Sequence, residues 1–214
     1  MTRKVALMTG LLPIIAIHGT YLLSAWQGYV PWCFPYFESC TSISATGRHG
    51  AAFFLFKGTM IPAAVLLILF WYLASKWLLQ LGDEKAAANT IFVLGMIGAL
   101  FLIVYAVALG AAGDLLKLQR RIGVIFYFTL TYLSQLLLVW RMSKVIASEI
   151  SRSWLLGLCV TALTIGIATL ILDASMENYE DAFEWILALL VHLYFLVMAR
   201  AWKKTRFRVQ YVLA

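Results

Sequence analysis

The chain has 214 residues, of which 63% are hydrophobic and only 13% charged, and its mean hydropathy is +0.88. That leaves too little polar surface to coat a water-soluble globule, so most of its solvent is lipid. The formal net charge of +7 follows membrane topology and attraction to an anionic leaflet, and needs no nucleic-acid partner to explain it.

A spanning helix takes about 20 mainly apolar residues, and six stretches qualify, at roughly 5–26, 53–79, 89–112, 122–140, 154–172 and 182–201. They use nearly the whole chain, so residues 1–214 read as one all-α transmembrane domain, a bundle of six transmembrane helices. The runs are continuous instead of alternating with period two, which excludes a β-barrel. The first run, Val5 to Trp26, lacks a small-x-small cleavage site and continues to full spanning length. It is therefore expected to stay as a helix and not to be removed as a signal peptide. Pro13 and Pro62 are expected to bend the first two helices, with the released carbonyls satisfied inside the bundle.

Basic residues near helix ends resist translocation. With the N-terminus inside, twelve of the seventeen Lys and Arg fall on the inner side, and only Arg48, Lys57, Lys117, Arg120 and Arg121 lie on or near the other. Both termini are thus expected to be cytoplasmic, with the tail Arg200 to Arg208 against the inner leaflet. All eight tryptophans, Trp26, Trp32, Trp71, Trp77, Trp140, Trp154, Trp185 and Trp202, lie at or near predicted helix ends, where indole favours the headgroup interface.

Four connections are short, which makes successive helices antiparallel neighbours. The first external loop, about Gln27 to Gly50, is long, aromatic and Pro-containing, and is expected to fold over the outer end of the bundle. Cys33 and Cys40 within it would form a disulfide in an oxidising compartment, or remain as two thiols. Their spacing is wrong for a redox pair or metal site. Cys159 reads as a small packing residue. The last external loop, Asp173 to Trp185, is acidic, whereas Asp114 to Arg121 is mainly basic. The two could pair as rim salt bridges; alternatively Lys117, Arg120 and Arg121 cradle a lipid phosphate.

Lys57 sits inside the nominal start of the second helix and needs either a route to the headgroups or a partner such as Glu38, Asp114 or Glu184. His49, Phe53 and Lys57 share one helical face. His18 and His192 fall near the bilayer midplane, where hydrogen bonding within the bundle is the commoner use; a haem held by both is the alternative, and no cofactor is otherwise expected. Small residues in helix three (Gly95, Gly98, Ala108, Gly110, Gly113) and helix five (Gly157, Gly166, Ala168) would allow close helix packing.

Three segments together, Ser42-Ile-Ser-Ala-Thr-Gly47, Arg121-Ile-Gly-Val-Ile-Phe126 and Glu184-Trp185, resemble the six-helix family that contains the damage-regulated autophagy modulators (DRAM), the Golgi factor for GPI-anchor lipid remodelling and related yeast plasma-membrane proteins. The resemblance implies this architecture and an association with membrane lipid handling.

The leading functional expectation is a non-catalytic protein that binds lipid in its outer half through Lys57, Lys117, Arg120, Arg121 and Arg48, with a membrane protein as a possible further partner. The alternative is an enzyme acting on a lipid headgroup. It would use His49 as general base, Glu38, Asp114 or Glu184 to orient it, Arg121 or Lys57 to neutralise phosphate, and Ser42, Ser44 or Thr46 as nucleophile. No Gly-x-Ser-x-Gly elbow surrounds these hydroxyls. A transporter is the third reading, disfavoured by the scarcity of midplane carboxylates and of any inverted repeat.

Overall fold

Six long helices and two single-turn ones account for the chain in the computed structural model, which describes residues 1–145, 149–172 and 179–209. They are α1 (Thr2–Trp26), α2 (Pro35–Glu38), α3 (Ile43–Thr46), α4 (Gly50–Gln80), α5 (Lys85–Ala108), α6 (Asp114–Val145), α7 (Glu149–Leu172) and α8 (Glu180–Lys204). All six long helices carry a stretch apolar and long enough to cross a membrane. The acidic residues at 173–178 lie outside the described part.

Two boundaries differ from the hydropathy reading, and each has a physical cause. The third span ends at Ala108 because Gly110 and Gly113 adopt left-handed φ of 76° and 106° and turn the chain. The fourth begins at Asp114, eight residues before the apolar run. Charges end a hydrophobic stretch but do not end a helix, whose backbone bonds continue wherever side chains find water. At 32 residues α6 is about 48 Å long, well beyond a hydrocarbon core of about 30 Å. Its first two turns, with Asp114, Lys117, Arg120 and Arg121, are therefore a basic helical post and not a loop.

The helices form a ring with a seam. α1 packs on α4 and α8, α4 on α5, α5 on α6, and α7 on α8, whereas α6 meets α7 and α8 over little of its length. Glycines set the tight joints. A Cβ at Gly10 would come within 2.9 Å of the His192 carbonyl of α8, and one at Gly123 within 2.8 Å of the Tyr105 backbone nitrogen of α5. Gly95 and Gly98 likewise admit Trp71 of α4 and Thr131 of α6. In α7, Gly157 and Gly166 face open space, so the small residues there are not a packing joint within this chain.

Half of the tryptophans belong to the core and not to an interfacial belt. Trp26, Trp32, Trp140 and Trp154 are more than half exposed, but Trp71, Trp77, Trp185 and Trp202 are at most 1% exposed. Two of the four buried indoles find polar partners in distant segments. Trp185 Nε1 donates to the Thr41 carbonyl (2.9 Å) and Trp77 Nε1 to Thr205 Oγ1 (3.0 Å). Phe70 joins Phe195 and Trp202 at ring-centroid distances of 4.7 and 5.1 Å to hold α4 against α8.

The segment between α1 and α4 is held against the adjacent ends of α1 and α8. Cys33 and Cys40 form a disulfide around α2. Tyr21 donates to the Cys33 carbonyl at 2.6 Å, and the Ala182 N–H donates to Ser39 Oγ at 3.1 Å. At the opposite end, the Thr2 hydroxyl donates to the Phe207 carbonyl at 3.0 Å. There the α4–α5 turn is fastened to α6 by Asp83 and Arg141.

Candidate functional site

The seam between α6 and α7 opens into a groove of about 1220 Å³ whose back wall is α8 and the end of α5. Its lining follows helical periodicity on each side. On α6 the face runs Lys117, Arg121, Val124, Phe128, Tyr132, and on α8 it runs Glu180, Phe183, Glu184, Leu187, Val191. Each helix is charged at the mouth and apolar below. From Lys117 to Tyr132 the groove is about 22 Å deep by helical rise, the depth of one leaflet with its headgroup layer. Opposite, α7 contributes Leu163, Gly166 and Ile167, and the bare Gly166 backbone leaves that wall recessed.

A hydrogen-bonded layer closes the floor. Tyr132 donates to the Cys159 carbonyl at 2.9 Å, linking α6 to α7. Gln135 Nε2 donates to the Val191 carbonyl (2.9 Å) and the Tyr194 hydroxyl to the Gln135 carbonyl (3.0 Å), linking α6 to α8. Such polar pairs hold transmembrane helices together where lipid offers no hydrophobic drive.

His192 belongs to this layer. Its Nδ1 lies 2.6 Å from the Ala188 carbonyl, an acceptor only, so Nδ1 carries the proton and Nε2 accepts from the Tyr127 hydroxyl at 3.2 Å. His18 repeats the arrangement with the Ile14 carbonyl (2.7 Å) and the Tyr36 hydroxyl (2.9 Å). Burial raises the titration of Tyr36 above the ordinary phenol value, so it stays a donor. Both ring nitrogens of each histidine are therefore occupied, and the two sit in different hydrogen-bonded pairs. Among the described residues no group of three His, Cys, Asp or Glu could hold a metal ion.

Of the residues singled out in the sequence, the groove gathers Arg48, Lys117, Arg120, Arg121, Asp114 and Glu184, together with Ser44. Lys117 pairs with Asp114 on its own helix at 3.1 Å, exposed. Among the described residues Arg48, Arg120 and Arg121 have no carboxylate within 4 Å. Arg48 donates to Ser44 Oγ at 2.7 Å, while its buried Nε has no acceptor. Glu184 lies beside the N–H groups of Ile43 and Ser44 at the start of α3 and feels the charges of Asp181 and Arg48.

The other singled-out residues lie elsewhere. Lys57 donates to the Val107 carbonyl at 2.9 Å, capping the end of α5, and lies 4.1 Å over the Phe53 ring. His49 is exposed, stacked on Tyr29 at 5.3 Å. Glu38 accepts from the Phe34 N–H at 2.9 Å. Of the three candidate orienting carboxylates, Asp114 and Glu184 line the groove and Glu38 lies apart from it, and among the described residues none pairs with His49 within 4 Å. Sequence reasoning passed over Tyr105, which lines the groove, is 4% exposed and has a hydroxyl without a partner among the described residues. Within an unbroken apolar run, a single tyrosine carries no signal that its neighbours will draw apart.

The sequence model of the Frag1/DRAM/Sfk1/Cwh43P N-terminal domain matches residues 2–204. No curated protein and no solved structure matches the chain.

Proposed function

We infer a lipid-binding function for this chain, which belongs to the Frag1/DRAM/Sfk1/Cwh43P N-terminal domain family and is a multi-pass helical membrane protein. In this reading it holds a phospholipid in the seam between α6 and α7, with the phosphate on Arg48, Arg120 and Arg121 and the acyl chains along Val124, Phe128, Leu163 and Ile167. One observation carries it: a sideways-open groove of leaflet depth has at its mouth guanidinium groups with no carboxylate within 4 Å among the described residues, and apolar walls beneath. Guanidinium suits phosphate because its planar fork donates to two oxygens at once.

The role is binding and handling, not turnover. His49 is stacked away from the groove. Among the candidate nucleophiles, Ser42 caps the Ala45 N–H, Thr46 donates to the Ile43 carbonyl, and Ser44 accepts from Arg48. Both termini are cytoplasmic and the groove mouth faces the external leaflet; the twelve-to-five split of Lys and Arg between the two ends supports this.

Native mass spectrometry of the gently solubilised protein, with extraction of retained lipid, tests the reading. A retained phospholipid that is lost in Arg120→Gln/Arg121→Gln is the expected result. No phospholipid above detergent background would overturn it.

A further inference from the structure

We propose that the groove selects a zwitterionic headgroup, one bearing an ammonium beside its phosphate; this rests on the groove being a phospholipid site. The argument is the arrangement of charge within one cavity. α6 and the α3–α4 junction supply Arg120, Arg121 and Arg48, and the facing wall of α8 supplies Glu184. Opposite charges bordering a shared low-dielectric space attract strongly, yet no ion pair within 4 Å joins these two walls among the described residues. Packing of α8 against α1 and of α6 against α5 holds them apart. The space between them is where a ligand lies.

A headgroup with phosphate alone would satisfy the arginines but set its negative charge against Glu184. A carboxylate in that position therefore acts against purely anionic lipids. A zwitterion answers both walls, with phosphate toward the guanidinium groups and ammonium toward the carboxylate. The N–H groups of Ile43 and Ser44 lie beside Glu184. Tyr105 is the second, independent sign of a polar occupant. Its hydroxyl has no partner among the described residues and feels charge of both signs, from Glu184 and from Arg48 and Arg120. As both donor and acceptor it can serve either half of a dipolar headgroup.

The test offers the full-length protein, delipidated in mild detergent, an equimolar mixture of phosphatidylethanolamine and phosphatidylglycerol with identical acyl chains. Native mass spectrometry reads which is retained. The wild type is expected to retain phosphatidylethanolamine over phosphatidylglycerol by roughly tenfold, the value of about one charge-assisted contact. Glu184→Gln, which keeps an acceptor oxygen for the Ile43 and Ser44 N–H groups, should bring the ratio close to one. Equal retention, or preference for phosphatidylglycerol, by the wild type overturns the zwitterion proposal and leaves the phospholipid site standing. Retention of neither lipid overturns both. A ratio unmoved in Glu184→Gln of unchanged melting temperature removes Glu184 as the ammonium partner and with it the proposal.

Discussion

Arg141 holds Asp83 through three contacts: its Nε donates to both carboxylate oxygens at 3.0 Å, and a terminal nitrogen donates to Oδ1. The same terminal nitrogen lies 3.5 Å from Glu84. Both paired side chains are buried, so the α4–α5 turn and the end of α6 are joined at the end of the bundle that holds Thr2 and Phe207. Removing one partner leaves a buried charge unanswered, which is worse than removing both. Asp83→Leu and Arg141→Met are each expected to lower the melting temperature, and the double substitution to recover part of the loss. A thermal-shift double-mutant cycle measures this.

The same pair fixes a pH response. The Arg141 hydrogen bonds hold the Asp83 carboxyl below the usual carboxylate range. A depressed folded-state value gives stability that is present above the unfolded value and lost as pH falls through the folded one. The melting gap between wild type and Asp83→Asn should therefore hold steady from about pH 8 to 5 and close only below about pH 4. A gap that closes near neutrality would contradict the geometry.

Gly166 and Gly157 form a matched pair of tests on α7. Neither has an atom within 4 Å of where a Cβ would stand, but only Gly166 lines the groove. Gly166→Leu should fill the groove and cut lipid retention several-fold at unchanged melting temperature, while Gly157→Leu should leave both unchanged. Equal retention by the two variants would show that the groove is not where the lipid lies.

Gly123 lies where α6 crosses α5, with Tyr105 backbone atoms 2.8 and 2.9 Å from an added Cβ. Backbone cannot rotate aside as a side chain can, so Gly123→Ala must separate the helices. A loss of about 1–3 kcal/mol is expected from overpacking, read from detergent-titrated unfolding. Because Tyr105 also lines the groove, retention of lipid should fall with it.

Much of this was legible in the sequence, for reasons tied to particular residues. Six spans follow from hydropathy because a helix in lipid must be apolar along its whole length. Lys117, Arg120 and Arg121 stood out as a basic cluster, but nothing in their order showed that they continue α6 as a post. The tryptophans misled by position: Trp77 and Trp185 do lie at helix ends, yet Thr205 and the Thr41 carbonyl satisfy them from distant parts of the chain. Nothing in the sequence singles out Asp83, whose partner is 58 residues away. The groove itself is the stretch over which α6 and α7 draw apart, and no residue type encodes a gap.

Tyr36 ties the loop to α1 by donating to His18 at 2.9 Å. Tyr36→Phe leaves that ring nitrogen without its donor, a loss of about 1 kcal/mol. Faster amide exchange across residues 34–46, with the core helices unchanged, is the expected outcome.

The seam between α6 and α7 also decides how occupancy must be counted. An opening that faces the bilayer sideways admits molecules by two-dimensional diffusion within a leaflet, without their crossing water. Their activity is then a mole fraction of that leaflet and not a concentration in the buffer. Diluting the sample would leave such a groove as full as before, whereas fusing the membrane with inert lipid would empty it.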